Sequence, residues 1–91
     1  MHARKVDANQ AEIVEALRNI GATVQPLHTV GSGVPDLLVG WCGRNILMEV
    51  KVAKGKLTPD QISWHGIWSG QVCVVHSIEE AEDALHRYAN E

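Results

Sequence analysis

Three charged residues of this chain are of the kinds that carry out metal-assisted hydrolysis. Asp36 follows a proline, and Glu49 and Lys51 stand two positions apart in the apolar run of residues 45–52. Because side chains alternate across a strand, Glu49 and Lys51 are expected to share one face. The other face then carries the aliphatic residues Ile46, Met48, Val50 and Val52. A hairpin that pairs the segment of Asp36 with this strand would bring two carboxylates and one ammonium together.

This set suits a hard divalent cation and the hydrolysis of a phosphodiester. Mg²⁺ is held by one or two carboxylates together with water and substrate phosphate, and Asp36 and Glu49 would supply the carboxylates. The backbone carbonyl of Val50 would add a third oxygen, and Glu12 is a candidate for holding an outer-shell water or a second ion. Lys51 is expected to orient or help deprotonate the attacking water and to offset charge in the transition state.

Each of these residues also has an ordinary structural role open to it. A solvent-facing ion pair of Glu49 with Lys51, or of Asp36 with Arg44, needs no catalytic explanation. Glu12 equally suits the first turn of a helix, where the helix dipole favours an acidic side chain. Asp36 and Glu49 nevertheless interrupt strands that are otherwise apolar, where a buried charge is costly unless it is paired or bound to a metal. We therefore favour the functional interpretation of the charged set.

A helix and a hairpin are predicted to position these residues. The first helix is expected to begin with Asp7 or Asn9 as N-cap and to end at Gly21. Its apolar face consists of Ile13, Val14, Leu17 and Ile20. Residues 22–30 predict an extended segment at a sheet edge, because Pro26 interrupts it. Residues 35–40 and 45–52 predict two antiparallel strands, joined by the four residues 41–44.

Two capping boxes predict the remaining helices. Residues 58–61 (TPDQ) open a helix that runs to about Ser69, with Leu57 and Ile62 placed as a hydrophobic staple. Residues 77–80 (SIEE) open the last helix, and residues 71–76 between the two helices predict a buried strand. The chain is therefore expected to form one α/β domain of residues 1–91, with its elements in the order α-β-β-β-α-β-α.

Four segments, in the same order along the chain, resemble the virus-type replication-repair nuclease (VRR-NUC) domain of the PD-(D/E)xK nuclease superfamily. They are residues 33–36 (GVPD), 48–51 (MEVK), 57–61 (LTPDQ), and Gly70 with the following residues 72–81 (VCVVHSIEEA). The resemblance spans residues 31–85, which is most of the chain. Four ordered segments are far more specific than two acids and a lysine alone.

The resemblance implies a restriction-endonuclease-like core, with a central mixed four-stranded sheet flanked by helices. It also implies dependence on Mg²⁺ or Mn²⁺ and action on branched DNA, with Holliday junction resolution as the expected activity. By the same similarity, Asp36, Glu49 and Lys51 are the catalytic set, Gln61 belongs to the site, and Glu12 matches the acidic residue of the first helix. Gln61 has a structural alternative, because it also completes the capping box by reaching back to the backbone amide of residue 58.

Two other functions stay open at this level. A general nicking or flap nuclease would use the same centre, whereas a non-catalytic DNA-binding assembly subunit would keep only the fold. Ninety-one residues leave little outside the catalytic core to read base sequence, so specificity for DNA shape is the better expectation. A binding subunit gains nothing from carboxylates that face phosphates, and this favours the enzyme.

The net charge of −3 disfavours a nucleic-acid partner until its distribution is considered. Five of the eleven acids lie after residue 76, whereas residues 1–76 carry seven Lys or Arg residues and six acids. A bound divalent cation would make this larger part positive. We expect the DNA backbone to contact four cationic residues, namely Arg4, Lys5, Lys54 and Lys56.

Targeting and cysteine patterns give no sign of a membrane or a zinc site. The apolar runs are too short to cross a membrane, and the first ten residues lack a signal-peptide core. We therefore expect no membrane partner and a place in the cytoplasm of a bacterial or phage-infected cell. Cys42 and Cys73 have no metal-ligand spacing and are expected to be reduced, partly buried thiols without structural zinc. The five histidines are scattered without ligand spacing and are interpreted as structural.

A homodimer is expected because one chain supplies one catalytic set, whereas resolution of a four-way junction needs two symmetric incisions. Trp64 and Trp68 stand four residues apart in the second predicted helix. They are expected to lie in the core or at the subunit interface rather than to stack on bases. Trp41, in the hairpin connection, would either cover the core or contact DNA.

Overall fold

A four-stranded sheet with two helices on one face organises the chain in a computed structural model that describes residues 8–91. The predicted order of elements is confirmed. The elements are α1 (Gln10–Asn19), β1 (Thr23–Pro26), β2 (Leu37–Trp41), β3 (Arg44–Val50), α2 (Pro59–Ile67), β4 (Val72–Val75) and α3 (Ile78–Ala89). Arg4 and Lys5, two of the predicted DNA contacts, lie outside the described residues, as does Asp7, one of the two predicted N-caps.

The sheet is mixed, as expected. Its strands follow one another in the order β1-β2-β3-β4, and β2 pairs antiparallel with both β1 and β3, whereas β4 is parallel to β3. Leu37 pairs with Met48 in the central hairpin, and this register decides which side chains share a face. Side chains that alternate from this pair point either to the core or to the opposite face of the sheet.

The core lies between the sheet and the pair α1 and α3. Ile13 and Leu17 of α1 and Leu85 of α3 are fully buried there. The sheet contributes the buried residues Leu37, Val39, Ile46, Met48, Val50 and Val75. The prediction that Val52 belongs to this face was wrong. Strand β3 ends at Val50, and Val52 is 46% exposed in the segment that follows.

The hairpin between β2 and β3 is tighter than predicted. Trp41 and Arg44 are paired strand residues, so the connection consists of Cys42 and Gly43 alone. Their φ angles are +49° and +78°, the left-handed values that two-residue hairpin turns need to match the twist of the strands. Cys42 is exposed, which corrects the expectation that it is partly buried. Burial raises the pKa of the second thiol, Cys73, to about 11.

The starts of α3 and α2 each differ in one contact from the prediction. Ser77 accepts a hydrogen bond from the Glu80 backbone N–H, as a capping box requires, but the Glu80 carboxylate accepts from His76 instead. That interaction lowers the pKa of the Glu80 carboxyl group. The hydrophobic staple of α2 was wrong, since Ile62 is 59% exposed. Within residues 8–91, no helix has the length and apolar character needed to cross a membrane.

Candidate active site

Two buried carboxylates lie side by side on the face of the sheet opposite to the core. Asp36 is 4% exposed and comes just before β2, while Glu49 is 1% exposed and belongs to β3. The Leu37–Met48 pair continues by one position to place Asp36 across from Glu49, on the same face. The predicted convergence of these two residues is therefore present in the structure.

A backbone hydrogen bond holds the Asp36 side chain against β3. The Val50 N–H donates to the Asp36 carboxylate oxygen Oδ2, at 2.9 Å. This contact fixes the carboxylate at the end of β3. Continuing the register by one more position sets Pro35 opposite Val50, and proline has no N–H to donate to the Val50 carbonyl.

Lys51 is the cation of this cluster. Its Nζ lies 3.7 Å from Oε2 of Glu49, and its side chain is only 12% exposed. Its backbone N–H donates to the Val75 carbonyl at 2.9 Å, so the ladder with β4 continues past the end of β3. The alternative of a solvent-facing Glu49–Lys51 pair does not hold, because both side chains are largely buried. Lys51 therefore belongs to the buried charged cluster and not to a surface ion pair.

The other structural alternative, an Asp36–Arg44 ion pair, is excluded by the register. Arg44 begins β3 beside the turn, whereas Asp36 lies at the far end of the hairpin. The Arg44 guanidinium donates to the backbone carbonyl of Glu91. The carboxylate of Asp36 is therefore not explained by a cross-strand ion pair with this arginine.

Gln61 fills both of the roles that its position suggested. Its Oε1 accepts from the Thr58 N–H at 2.9 Å, and the Thr58 hydroxyl accepts from the Gln61 N–H at 3.3 Å, which completes the capping box. Its Nε2 donates to Oε2 of Glu49 at 3.0 Å. Within the described helix α2, Gln61 is the one buried residue, at 5% exposure. One side chain therefore starts the helix and holds the carboxylate.

Gly33 brings the start of α2 to the segment that carries Asp36. Its φ of +83° lies in the left-handed region, and a Cβ there would lie 2.7 Å from the Asp60 carbonyl carbon. Only glycine permits this approach of two backbones. Gly33 thus lets the first turn of α2 pack against the loop before Asp36.

Asn9 ties the start of α1 to the same end of the sheet. It precedes α1 as predicted, but its side chain does not cap the helix. Its Nδ2 donates to the carbonyl oxygens of Lys51, at 3.1 Å, and of His76, at 2.9 Å. These contacts join the segments that follow β3 and β4, and they place the N-terminal end of α1 beside Lys51.

His65 is a residue of this cluster that the sequence did not single out as functional. It follows Gln61 by one helical turn, and burial, together with the Lys51 ammonium, lowers its pKa. The charge of Lys51 is therefore felt at the His65 ring. Its buried Nε2 has no hydrogen-bond partner within residues 8–91. The i, i+4 spacing from Gln61 is the signal that would have identified it.

The other predicted residues take more peripheral positions. Glu12 is exposed in the first turn of α1, and none of the contacts described above reaches it. Its role at an outer shell or a second ion stays a prediction. Lys54 and Lys56 are exposed in the segment between β3 and α2, just beyond Lys51. Their contact with DNA stays a prediction.

The tryptophans separate into two groups. Trp41 packs against the core and meets the His86 ring edge-on at 6.3 Å between centroids, so it covers the core. Trp64 and Trp68 stack on each other, with centroids 4.6 Å apart and planes inclined by 18°. Neither belongs to the core, and Trp68 is 45% exposed. The core alternative is therefore excluded for Trp64 and Trp68, and their place at a subunit interface stays a prediction.

The donor set fits a hard divalent cation. Among the described residues 8–91, no three His, Cys, Asp or Glu side chains cluster as ligands. Two carboxylates and one backbone carbonyl are nevertheless the kind of incomplete oxygen set with which Mg²⁺ binds, since this ion keeps several waters. Two neighbouring carboxylates attract a divalent cation, whose charge would offset their mutual repulsion. Asp36, Glu49 and the Val50 carbonyl are the residues that would hold it.

Comparison of the chain with family models, with curated proteins and with solved structures finds no match.

A substitution of Gln61 tests its double role. We expect Gln61→Ala to lower the free energy of unfolding by about 1–2 kcal/mol, since it removes half of a capping box and a buried donor to Glu49. Urea denaturation measures the change. Gln71→Ala is the matched control, because the amide of Gln71 makes only an exposed, 3.5 Å contact with Glu91. Equal losses in the two variants would mean that the Gln61 contacts contribute nothing specific.

Proposed function

We propose that the protein is a metal-dependent DNA endonuclease that hydrolyses phosphodiester bonds in branched DNA, with Holliday junctions as the main substrate. The observation that carries the proposal is the buried pair of Asp36 and Glu49 with Lys51 at 3.7 Å from Glu49. A restriction-endonuclease-like PD-(D/E)xK core, in which this set is the catalytic centre, is part of the same proposal. Mg²⁺ or Mn²⁺ is the proposed cofactor.

Asp36, Glu49 and the Val50 carbonyl would hold the cofactor. When bound, a divalent cation supplies a Lewis acid for the phosphoryl oxygen and a lowered pKa for water. Asp36 is held for this task by the Val50 N–H, and Glu49 is held by the Gln61 amide. Both carboxylates are therefore positioned before any ligand arrives, and such preorganisation is what lowers a barrier in a site with little water.

Lys51 is placed to act on the reacting phosphate. Its ammonium lies beside Glu49 and is 12% exposed, so its charge is weakly screened. From there it orients the attacking water and stabilises the charge that develops on the phosphoryl oxygens. The imidazole of His65, whose pKa is lowered by burial and by the Lys51 ammonium, is a second group that can hold a water molecule by hydrogen bonding.

Recognition of DNA shape, and not of base sequence, is part of the proposal. The described elements build the sheet, its core and the carboxylate cluster, and among residues 8–91 they leave no separate element to enter a groove and read bases. Lys54 and Lys56 supply backbone contacts beside the site. A substrate defined by its branched geometry suits this arrangement better than a defined sequence.

A homodimer completes the proposal. Helix α2 and its end carry three large exposed apolar residues, with Ile62 59% exposed, Ile67 81% and Trp68 45%. Exposed apolar residues grouped on one helix mark a surface that associates. A two-fold axis through this surface would give the two catalytic clusters that symmetric incision of a junction requires. The stacked Trp64 and Trp68 would then belong to the interface.

The dimer has a direct test. We expect sedimentation at micromolar concentration to give twice the 10.0 kDa chain mass, and Ile67→Glu to give the single mass, because a charge cannot be buried there unpaired. Val30→Glu is the control, since Val30 is 59% exposed but lies outside α2. A wild-type monomer that DNA does not assemble would rule out symmetric resolution. A nicking or flap nuclease would then be the better proposal.

The activity itself is tested with a panel of linear, flap and four-way DNA substrates in Mg²⁺ or Mn²⁺. We expect paired incisions in the four-way junction and little cleavage of linear duplex. Cleavage of flaps alone would favour the flap nuclease. Binding of junctions without any cleavage in either metal would favour the non-catalytic assembly subunit, the alternative from outside the enzyme class.

A further inference from the structure

A shallow groove of about 210 Å³ opens on the same face of the sheet as the carboxylate cluster. Residues of β1, β2 and the start of β3 line it, and on this face they are Thr23, Gln25, Leu38, Gly40 and Asn45. The hydroxyl and the two amides are exposed, whereas Leu38 is half-buried. Three hydrogen-bonding side chains thus surround a small apolar floor.

The register of the sheet connects this groove to the carboxylates. Paired residues form rows across the strands, first Thr23, Gly40 and Asn45, and then Gln25, Leu38 and Leu47. The next row on this face contains Leu27, Asp36 and Glu49. Leu27 belongs to it because its N–H donates to the Asp36 carbonyl, which continues the ladder between β1 and β2. Since side chains alternate along a strand, all three rows point to one face.

The length of the groove matches a few base pairs of DNA. Asn45 precedes Glu49 by four residues, and at about 3.4 Å per strand residue it lies roughly 14 Å away along β3. Successive base pairs of a duplex are also about 3.4 Å apart, so this distance corresponds to about four base pairs. A duplex arm that runs along β3 from the scissile phosphate therefore meets the groove within about half a helical turn.

The chemistry of the lining residues favours the backbone of a duplex over a single strand. Hydroxyl and amide side chains commonly donate to phosphate and sugar oxygens. None of the residues that line the groove is aromatic, so the bases of a single strand would find no surface on which to stack. None of them is charged either, so these contacts would release no counterions, unlike those of lysine.

We propose that the groove lined by Gln25, Leu38 and Asn45 binds the sugar–phosphate backbone of a duplex arm next to the cut. The proposal rests on the proposed nuclease function and specifies part of its substrate, namely a paired arm of at least about four base pairs on this side of the scissile phosphate. Lys54 and Lys56 follow the end of β3, whereas the groove lies at its start. The groove therefore extends the contact with DNA in the opposite direction along β3.

The first test uses the unmodified protein and needs no cleavage. A duplex of about twelve base pairs, roughly one helical turn, is titrated into ¹⁵N-labelled protein in metal-free buffer of low salt. We expect saturable shifts of the Gln25 and Asn45 side-chain amides. The Asn19 amide, on α1 across the sheet, should not shift. Absence of shifts at Gln25 and Asn45, or equal shifts with one unpaired strand of the duplex, overturns the proposal.

The second test uses substitutions that preserve side-chain size. We expect Asn45→Asp to weaken binding of a four-way junction by about fivefold, because the added carboxylate repels the phosphates. Asn19→Asp is the matched control, since it makes the same change at an exposed position of α1. Equal affinities of the two variants overturn the proposal, because only the net charge would then matter. Thermal unfolding verifies that both variants are folded.

A neutral substitution separates this contact from those of the lysines. We expect Asn45→Ala to weaken junction binding by about threefold and to leave the slope of log affinity against log salt unchanged, because no charge is removed. Lys54→Ala reduces that slope by about one. Unchanged affinity of Asn45→Ala, or a smaller slope, overturns the proposal.

These tests also separate the groove from the nuclease function. Duplex-dependent shifts at Gln25 and Asn45, in a protein that cleaves no DNA in Mg²⁺ or Mn²⁺, would support the groove and contradict the nuclease. Metal-dependent cleavage by a protein whose Gln25 and Asn45 amides do not respond to duplex would support the nuclease and overturn the groove.

Discussion

The Asp36→Asn protein is expected to lose DNA cleavage by on the order of a hundredfold or more while it keeps its fold. Changes to groups that merely support a metal ligand cost about 10–100-fold, and a direct ligand should cost at least as much. The amide oxygen of the introduced asparagine can still accept from the Val50 N–H, so the end of β3 stays closed. Glu49→Gln is expected to behave in the same way, because its amide oxygen can still accept from Gln61.

An exposed carboxylate near the site provides the control for these two variants. Asp60→Asn removes an exposed carboxylate from the first turn of α2 and should leave cleavage unchanged. Full activity of Asp36→Asn in Mg²⁺ would show that the carboxylate pair is not the catalytic centre.

Lys51→Ala is expected to lower turnover on the order of a hundredfold while DNA affinity falls by only a few fold. The ammonium of Lys51 lies 3.7 Å from Glu49 inside the cluster, where its charge acts on the reacting phosphate. Lys54→Ala and Lys56→Ala should do the opposite, with weaker binding, a smaller salt dependence and nearly unchanged turnover at saturating DNA. Single-turnover rates and binding isotherms at several salt concentrations separate the two effects.

The same behaviour of all three lysine variants would contradict this division. It would mean that Lys51 is one more phosphate contact. Lys51→Arg adds a further distinction, because arginine keeps the charge but presents it as a planar fork instead of a compact ammonium. A contact that serves only to bind the backbone should tolerate this change, whereas a position 12% exposed beside Glu49 should not.

Much of the fold was predictable because its signals are local. Helical spacing of apolar residues indicated α1, capping boxes indicated the starts of α2 and α3, and Pro26 marked an edge strand. The convergence of Asp36 and Glu49 was also predictable, because alternation along a strand and hairpin pairing decide it. The connection between β2 and β3 was predicted too long, because a two-residue turn with left-handed backbone angles joins the strands. Ile62 and Val52 were predicted to pack against apolar residues, but both are exposed.

The parts of the site that were missed depend on contacts between distant residues. Asn9 was predicted as a helix cap, but its amide reaches Lys51 and His76, 42 and 67 positions away in the sequence. No local pattern encodes such a contact. His65 was interpreted as structural because a histidine without ligand spacing carries little information, and only the packing of α2 brings it near Lys51.

Divalent-metal binding by the carboxylate pair is measured most directly by titrating Mn²⁺ into the protein and following free Mn²⁺ by electron paramagnetic resonance. We expect saturable binding to the wild-type protein, and loss of that binding in Asp36→Asn and in Glu49→Gln, because each removes one anionic ligand. Asp60→Asn should bind Mn²⁺ as the wild type does. Absence of saturable binding, or binding that both buried-carboxylate variants retain, would contradict a metal-dependent centre at Asp36 and Glu49.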